Sequence, residues 1–433
     1  MKFENNTNSK LKTELLSYKE HKRASMHSFH RYYGKLIPAI PDCFINLYTE
    51  EKDLVADLFA GSGTTGVEAL RNNRNFFGVE INPLSTKIAS VKTSKLSPEL
   101  LLKLNAQLIS IISSVHKHHD DPDRPFLLNR DHWFKDFVQD DLIDIQDSIE
   151  QLFETTNIKI PKNKFQHYKD FYYITLSAIL RNVSNADTMH VFPGVSKRMR
   201  KLEAEGKIHI DVRKSYERAI HKRASYYEIY ENCKTTALIK NKDSKSLNLS
   251  NYRNTVDLIV TNPPYISSVR YIETLKLEMY WLQFITSPEQ YIDLSHDMLG
   301  NDRLTKDECQ DIQLTPYTEI NAEINKFKTI DIKSAKILSE FFIDMETVIK
   351  KMNYILKSGK KVVMKISDSK IKKNVVETGR LLTIIAEKCG FKLIDVFTDE
   401  INNNSRSLTT ARNTYSDIIT FDYIIIWEKT NDI

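Results

Sequence analysis

Val256-Asp257-Leu258-Ile259-Val260-Thr261-Asn262-Pro263-Pro264-Tyr265 joins a short apolar run to a double proline. Such a run, bounded by a turn signal, predicts a parallel strand buried on both faces. Its exit is unusual. Proline cannot donate to a sheet ladder, and each proline holds the residue before it extended. The prediction is a stiff, non-helical loop at the carboxyl end of a strand, where open α/β sheets bind ligands. Stiffness suits a loop that fixes one polar side chain, Asn262, and one ring, Tyr265.

A matching signal lies upstream. Leu54 to Phe59 reads as a strand, Gly61-Ser62-Gly63-Thr64-Thr65-Gly66 follows at once, and Val67 to Asn72 opens a helix. Strand, glycine turn and helix in this order form the context of a nucleotide-type fingerprint. Glycine permits positive φ and close ligand approach. No Gly-Lys-Ser/Thr is present, so the turn is not a P-loop. The next strand, Asn75 to Glu80, ends in a carboxylate placed to take both ribose hydroxyls of an adenosine group. Asn82 and Pro83 start the helix after it.

Between about Ser97 and Asn232 apolar residues recur at helical spacing, which predicts a mostly helical insertion between the second and third strands. Its His116–Asp121 turn is polar and has no matching ligand pair, so no metal is expected. At its end Lys197, Arg198, Arg200 and Lys201 come close together, then Lys207, Arg213, Lys214, Arg218, Lys222 and Arg223, with Tyr216, Tyr226 and Tyr227 interleaved. That density of cations is a candidate phosphate-binding surface. Thr235 to Ile239 predicts the third strand, followed by Asp243. Tyr271 to Phe284 predicts one amphipathic helix, and residues 286–330 a second insertion or lid. Ser334 to Leu356 predicts a helix with Ser334 as its N-cap, and Lys361 to Ile366 a strand. Val375 to Lys388 predicts a helix closed by Gly390. Phe391 to Thr398 and Ile418 to Trp427 predict an antiparallel hairpin around a polar loop, Asn402 to Asp417. Residues 1 to about 26 read as a polar lead-in.

The chain has 433 residues, 41% of them apolar, and a net charge of +5. A sizeable core is possible, and any nucleic-acid surface must be a local patch. Four scattered cysteines without Cys-x-x-Cys spacing exclude a disulfide framework and fit a reducing cytoplasm. No run is long enough to span a bilayer.

With those residues laid out, the chain resembles the S-adenosylmethionine-dependent amino-methyltransferases of DNA, the bacterial modification methylases. Asp57-Leu58-Phe59-Ala60-Gly61-Ser62-Gly63-Thr64 resembles their cofactor motif, and Glu80 and Asp243 stand where they place carboxylates. Asn262-Pro263-Pro264-Tyr265 resembles their catalytic motif, and Phe29 to Pro38 the segment beside the methionine end of the cofactor. The larger insertion precedes the third strand, a departure from the family's order that leaves open which insertion reads DNA.

The resemblance implies a Rossmann-like class I methyltransferase of α/β class. Its mostly parallel seven-stranded sheet would end in an antiparallel hairpin and carry the helical insertion. It implies a core in two parts, 1–92 and 233–433, around the insertion 93–232. It implies S-adenosylmethionine bound by Asp57, Phe59, Gly61, Gly63, Thr64, Glu80, Asn82 and Asp243, with Phe29 and Lys35 at the methionine end. Catalysis falls to Asn262, Pro263, Pro264 and Tyr265, with Tyr265 stacking on a base flipped from duplex DNA. Asn before Pro-Pro-Tyr favours adenine N6 as acceptor. The segment around Tyr271, Lys276-Leu277-Glu278 and Trp281 resembles cytosine-N4 members, so that acceptor stays open. RNA or protein substrates and a non-catalytic DNA-binding scaffold are the rival classes. A cytoplasmic monomer acting on double-stranded DNA, in a restriction-modification system with a cognate restriction endonuclease, completes the expectation.

Overall fold

β-branched and aromatic runs bounded by glycine, asparagine and proline produce strands at the predicted places. A computed structural model of the protein describes residues 25–118, 120, 124–266, 271–300, 304–305, 307–400 and 421–431. Helix α1 (Ala39–Tyr48) leads to β1 (Leu54–Asp57), α2 (Thr64–Arg71), β2 (Asn75–Glu80) and α3 (Pro83–Thr93). Helices α4 (Pro98–Ser114), α5 (Arg130–Trp133), α6 (Asp136–Thr155), α7 (Phe165–Val183), α8 (Lys197–Ala204) and α9 (Val212–Ala224) intervene before β3 (Ala237–Asn241) and β4 (Val256–Thr261). There follow α10 (Tyr271–Thr274), α11 (Lys276–Trp281), α12 (Pro288–Asp297), α13 (Thr318–Ile330), α14 (Ile332–Ile355) and β5 (Leu356–Ser367). A small hairpin, β6 (Ser369–Ile371) and β7 (Asn374–Val376), then α15 (Thr378–Lys388), β8 (Phe391–Glu400) and β9 (Phe421–Lys429) complete the described chain.

The main sheet has seven strands in the order β3-β2-β1-β4-β5-β9-β8. Neighbours from β3 to β5 are parallel, and β9 runs antiparallel between β5 and β8. This is the Rossmann-like class I methyltransferase architecture. The chain leaves β1 toward one edge and returns to lay β4 on the other side of β1, so a crevice opens over the carboxyl ends of these two strands. Pairing of Val55 with Leu258 and Ala56 with Ile259 sets those ends level. Every residue of β4 is buried, and its Leu258, Ile259 and Val260 side chains each contribute roughly 1.5–3 kcal/mol.

The insertion helices do not stand apart. Their apolar faces share one core cluster with Leu70 of α2, with Leu84 and Ile88 of α3, and with Leu277 and Trp281 of α11. A second cluster joins α13, α14 and α15 to the sheet, and a third places α1 against β1, β4 and β5.

Several boundaries differ from expectation. The predicted helix 271–284 is two short helices, interrupted at Leu275 (φ −112°, ψ 15°). It is not amphipathic in place, because Leu277 to Trp281, Glu278 included, are all buried. The N-cap of α14 is Asp331, whose carboxylate accepts from Ser334 N at 3.0 Å. Val375 and Val376 belong to β7, so α15 starts only at Thr378, and Gly390 (φ +77°) follows its end as predicted. The lead-in up to residue 24 and the loop 402–417 lie outside the described residues.

Candidate active site

Asp57 ends β1 and ties the crevice together. Its Oδ1 accepts from Phe59 N (3.0 Å) and from the Thr261 hydroxyl (2.6 Å), and its Oδ2 accepts from the Thr65 hydroxyl (3.0 Å). These bonds lock the glycine turn to the end of β4. Burial raises the Asp57 pKa to about 6 against the pull of the three donors. Gly61 (φ +50°) and Gly63 (φ +78°) adopt the left-handed conformation, where a side chain is strained. A Cβ on Gly63 would lie 2.9 Å from that of Ala89, so this glycine seats the turn on α3 rather than facing a ligand. Below the turn Lys92, wholly buried, donates from Nζ to the Ser62 carbonyl at 2.7 Å.

The crevice is lined on one side by Asp57, Phe59, Gly61, Ser62, Thr64, Glu80 and Asp243. Tyr32, Gly34, Lys35, Asn262, Pro264 and Leu299 also line it. Glu80 accepts from Gly61 N (2.8 Å) and Asn82 N (2.9 Å), and burial raises its pKa to about 7. Its remaining lone pairs are the acceptors that two ribose hydroxyls require. Ser62 Oγ is buried in this lining without a hydrogen-bond partner among the described residues, an orphan that a polar ligand would satisfy. With one carboxylate at the end of β2, another just after β3 and the glycine turn that follows β1, the lining fits S-adenosylmethionine.

Asn262 sits at the far side of the crevice, fixed from two directions. Its Nδ2 donates to the Gly34 carbonyl at 3.2 Å, and its Oδ1 accepts from the Tyr265 hydroxyl at 3.1 Å. Lys365 of β5 donates to that hydroxyl at 2.9 Å and pairs with Asp422 of β9 at 2.6 Å. Burial is the largest influence on Tyr265 and raises its pKa, so the phenol keeps its proton.

Not every expected residue reaches the crevice. Phe29 is fully buried, edge-on to Phe171, Tyr226 and Tyr227, because its ring completes the core beneath the insertion. Asn82 caps α3, accepting from Ser85 N at 3.0 Å. The side chains of Pro263, which is buried, and of Tyr265, which packs beside the α14 core with its hydroxyl tethered, do not line the crevice. Lys35 lines the crevice, but its Nζ donates to the carbonyls of His27 (2.8 Å) and His30 (3.3 Å). Sequence reasoning missed Ser62 and Tyr32, both inside stretches it had marked. It also missed Met298 and Leu299, which arrive only through the fold of α12 and carry no local signal.

The basic stretch is dispersed. Arg213 is enclosed, bridging Asp141 and Asp144 at 2.5 Å each and donating to the carbonyls of Ile112 and Val115. It is an internal strut and not a phosphate ligand. Arg198 is held on Asp187 at 2.5 Å, which pulls that carboxyl well below the usual range. Lys197, Arg200, Lys201 and Lys214 are exposed, whereas Tyr216, Tyr226 and Tyr227 are buried and offer no stacking face.

A family model described as DNA methylase, of the N6/N4 methyltransferase type, matches residues 4–90, the stretch that holds the glycine turn and Glu80. Among curated proteins the chain is similar to the type II methyltransferase M.MvaI of Kocuria varians. The two are 25% identical over 353 residues, covering 76% of this chain and 74% of that one. It is 32% identical to the type II methyltransferase M.MjaII of Methanocaldococcus jannaschii over 108 residues, 25% of this chain and 20% of that one. M.BglI of Bacillus subtilis matches at 50% over 44 residues, 10% of this chain and 13% of its own. The ordered pair of motifs, the crevice that joins them and these matches support an S-adenosylmethionine-dependent DNA amino-methyltransferase of the restriction-modification type.

Proposed function

We propose that the protein methylates the exocyclic amino group of a base rotated out of duplex DNA, with adenine N6 as the acceptor. The observation that carries this reading is Asn262, held from both sides at the end of β4 and facing the same crevice as Glu80. S-adenosylmethionine supplies a methyl group on a sulfonium, which leaves as a neutral thioether. The chain's own groups do the rest by positioning, which can lower a barrier by roughly 7–11 kcal/mol.

Asn262 Oδ1 has two lone pairs, and Tyr265 occupies one. The other accepts one N–H of the target amino group, and the Pro263 carbonyl accepts the second. Both hydrogens are thereby held, and the nitrogen lone pair is freed from the ring toward the methyl carbon. After transfer the nitrogen releases one proton to solvent. The tether through Lys365 keeps the Tyr265 hydroxyl on Asn262 and so fixes the direction of its free lone pair. Exposed Lys197, Arg200, Lys201 and Lys214 add long-range attraction to the duplex. We place the enzyme in the cytoplasm as a monomer beside a cognate restriction endonuclease. Among the described residues no helix is long and apolar enough to cross a membrane, and all four cysteines are free.

Cytosine N4 is the second reading, favoured by the segment Lys276–Trp281 behind the catalytic loop, and it presents a similar amino group to the same two acceptors. Purified protein, labelled S-adenosylmethionine and mixed-sequence duplex, followed by nucleoside mass spectrometry, separates the two. N6-methyladenine is the expected product. N4-methylcytosine would overturn the base assignment while keeping the role of Asn262, and absence of methyl from DNA would overturn the DNA reading.

A further inference from the structure

The sequence drew attention to cations at 197–223, and of these only Arg223 joins the cations gathered beside the catalytic groove. A second cavity of about 460 Å³ adjoins the cofactor crevice and shares Lys35 and Leu36 with it. Arg31, Lys35, Arg181 of α7 and Arg223 of α9 line it, and Glu278 of α11 is the one carboxylate among its described lining residues. Residues nearly two hundred positions apart in the chain are thus gathered by the insertion's packing, which is why no local motif announces them.

Glu278 and, behind the lining, Asp187 act on Arg31 and Arg181, but Asp187 is itself paired with Arg198, so the cations outnumber the carboxylates. Burial lowers the Arg181 and Arg223 pKa values to about 10, so both stay cationic near neutrality. His30, pushed down to about 3 by burial, adds no charge. Arg181 is 3% exposed and donates from Nη2 to the carbonyls of Asp187, His190 and Phe192. Its buried Nε has no hydrogen-bond partner among the described residues, and neither has Oε2 of Glu278, which is 2% exposed. Arg223 donates from Nε to the Phe29 carbonyl, and Arg31 from Nη2 to that of His190. Carbonyls satisfy hydrogens but not net charge. Four cations against one carboxylate, in a partly desolvated cavity, are costly unless an anion enters. Ser28 and Asn182 are exposed at its lining, so the cavity is open to solvent. Guanidinium groups match the oxygens of a phosphodiester.

We propose that this cavity receives a backbone phosphodiester of the DNA strand that carries the target base, gripped by Arg31, Arg181 and Arg223. The inference rests on the DNA reading above. It assigns to the insertion the task of holding the strand beside the flipped nucleotide. Burial raises Glu278 to about 7, so near neutrality its carboxyl can carry the proton that Oε2 donates to a phosphoryl oxygen. The other anion within reach is the carboxylate of the cofactor, and the test separates the two.

Wild type, Arg31→Gln, Arg223→Gln and the double variant are titrated with mixed-sequence duplex from about 50 to 200 mM salt, with S-adenosylhomocysteine present. S-adenosylhomocysteine binding is measured separately by calorimetry without DNA. The double variant should bind DNA at least tenfold more weakly, with its log–log salt slope flatter by about 0.9 for each phosphate no longer neutralised. Its S-adenosylhomocysteine affinity should match wild type, and Arg31→Lys with Arg223→Lys should restore the slope. Melting curves verify that each variant is folded, and if the double variant is not, the half-exposed Arg31→Gln alone is read against Arg31→Lys. An unchanged slope in folded variants, with wild type still binding and methylating DNA, overturns the cavity assignment alone. A loss of S-adenosylhomocysteine affinity with an unchanged slope assigns the cavity to the cofactor and overturns it too. A wild-type protein that neither binds nor methylates DNA overturns both readings.

Discussion

Glu80 shows how one buried carboxylate sets the conditions for binding. Burial raises its pKa from 4.5 to about 7, Asp57 adds to the rise, and the amides of Asn82 and Gly61 oppose it. The folded protein therefore binds the proton more tightly than the unfolded chain, so this group's contribution to stability falls as pH rises from about 4.5 to 7. If Glu80 takes the ribose hydroxyls of the cofactor, they need its ionised form as acceptor, and cofactor binding expels the proton. Affinity for S-adenosylhomocysteine should rise by up to about tenfold per pH unit below 7 and level off above it. Calorimetry on Glu80→Gln should give weaker binding, and the ratio of wild-type to variant affinity should carry the pH dependence. A pH-independent ratio would remove Glu80 from the cofactor site. Asn262→Ala should keep that affinity and lose about 10²–10³-fold in turnover, the scale of one transition-state hydrogen bond. Near wild-type turnover in a radiolabel assay would refute its role. The placement of both residues at one crevice was legible because each sits at a strand end beside a turn whose chemistry is local. Phe29 was not, since an aromatic next to a site can equally face the core, and only packing against Phe171 and Tyr227 decides.

At the level of elements, the catalytic loop is braced by strands far away in sequence. β4 delivers Asn262, β5 delivers Lys365 to the Tyr265 hydroxyl, and β9 delivers Asp422 to Lys365. The motif told of the loop but not of this brace, because Lys365 alternates within an ordinary strand. Tyr265→Phe should reduce kcat about fivefold to tenfold, the worth of one hydrogen bond, with KM for the cofactor unchanged. Lys365→Met should do more, since it also leaves Asp422 without its cation and with only the Ser367 hydroxyl as a side-chain partner among the described residues, and Lys365→Arg should recover part of the loss. A Tyr265→Phe enzyme with wild-type kcat would show that the hydroxyl does not hold Asn262. Helix boundaries failed for related reasons. Periodicity suggested one amphipathic helix over 271–284, yet burial on every side broke it at Leu275 and drew Glu278 inside. Ser334 looked like a cap, but Asp331 three residues earlier presents the stronger acceptor to its amide.

Across the whole molecule, the mostly parallel sheet with its antiparallel end was legible through the resemblance, and the insertion's place in the chain through periodicity, whereas the packing of the insertion was not. Its helices were evident from periodicity, but nothing local says that they share a core with α2, α3 and α11. The same gap explains Arg213, which composition grouped with phosphate-binding cations and packing turned into a clamp between α4, α6 and α9. Arg213 is 19% exposed and Asp144 1%, so the pair is shielded from solvent. Arg213→Met would remove the cation beside the nearly buried Asp144 carboxylate, which keeps the Lys117 amide, and a donor from the carbonyls of Ile112 and Val115, at a cost of about 3–5 kcal/mol. Because the insertion and the sheet helices share a cluster, that loss should lower the Tm of the whole protein in one transition. Tryptophan fluorescence, with Trp281 in that cluster and Trp427 in the sheet, should report the same midpoint as circular dichroism. The salt slope of DNA binding should stay at the wild-type value. A flattened slope with an unshifted Tm would instead return Arg213 to the DNA surface, and two separate transitions would show that the shared cluster does not couple the insertion to the sheet.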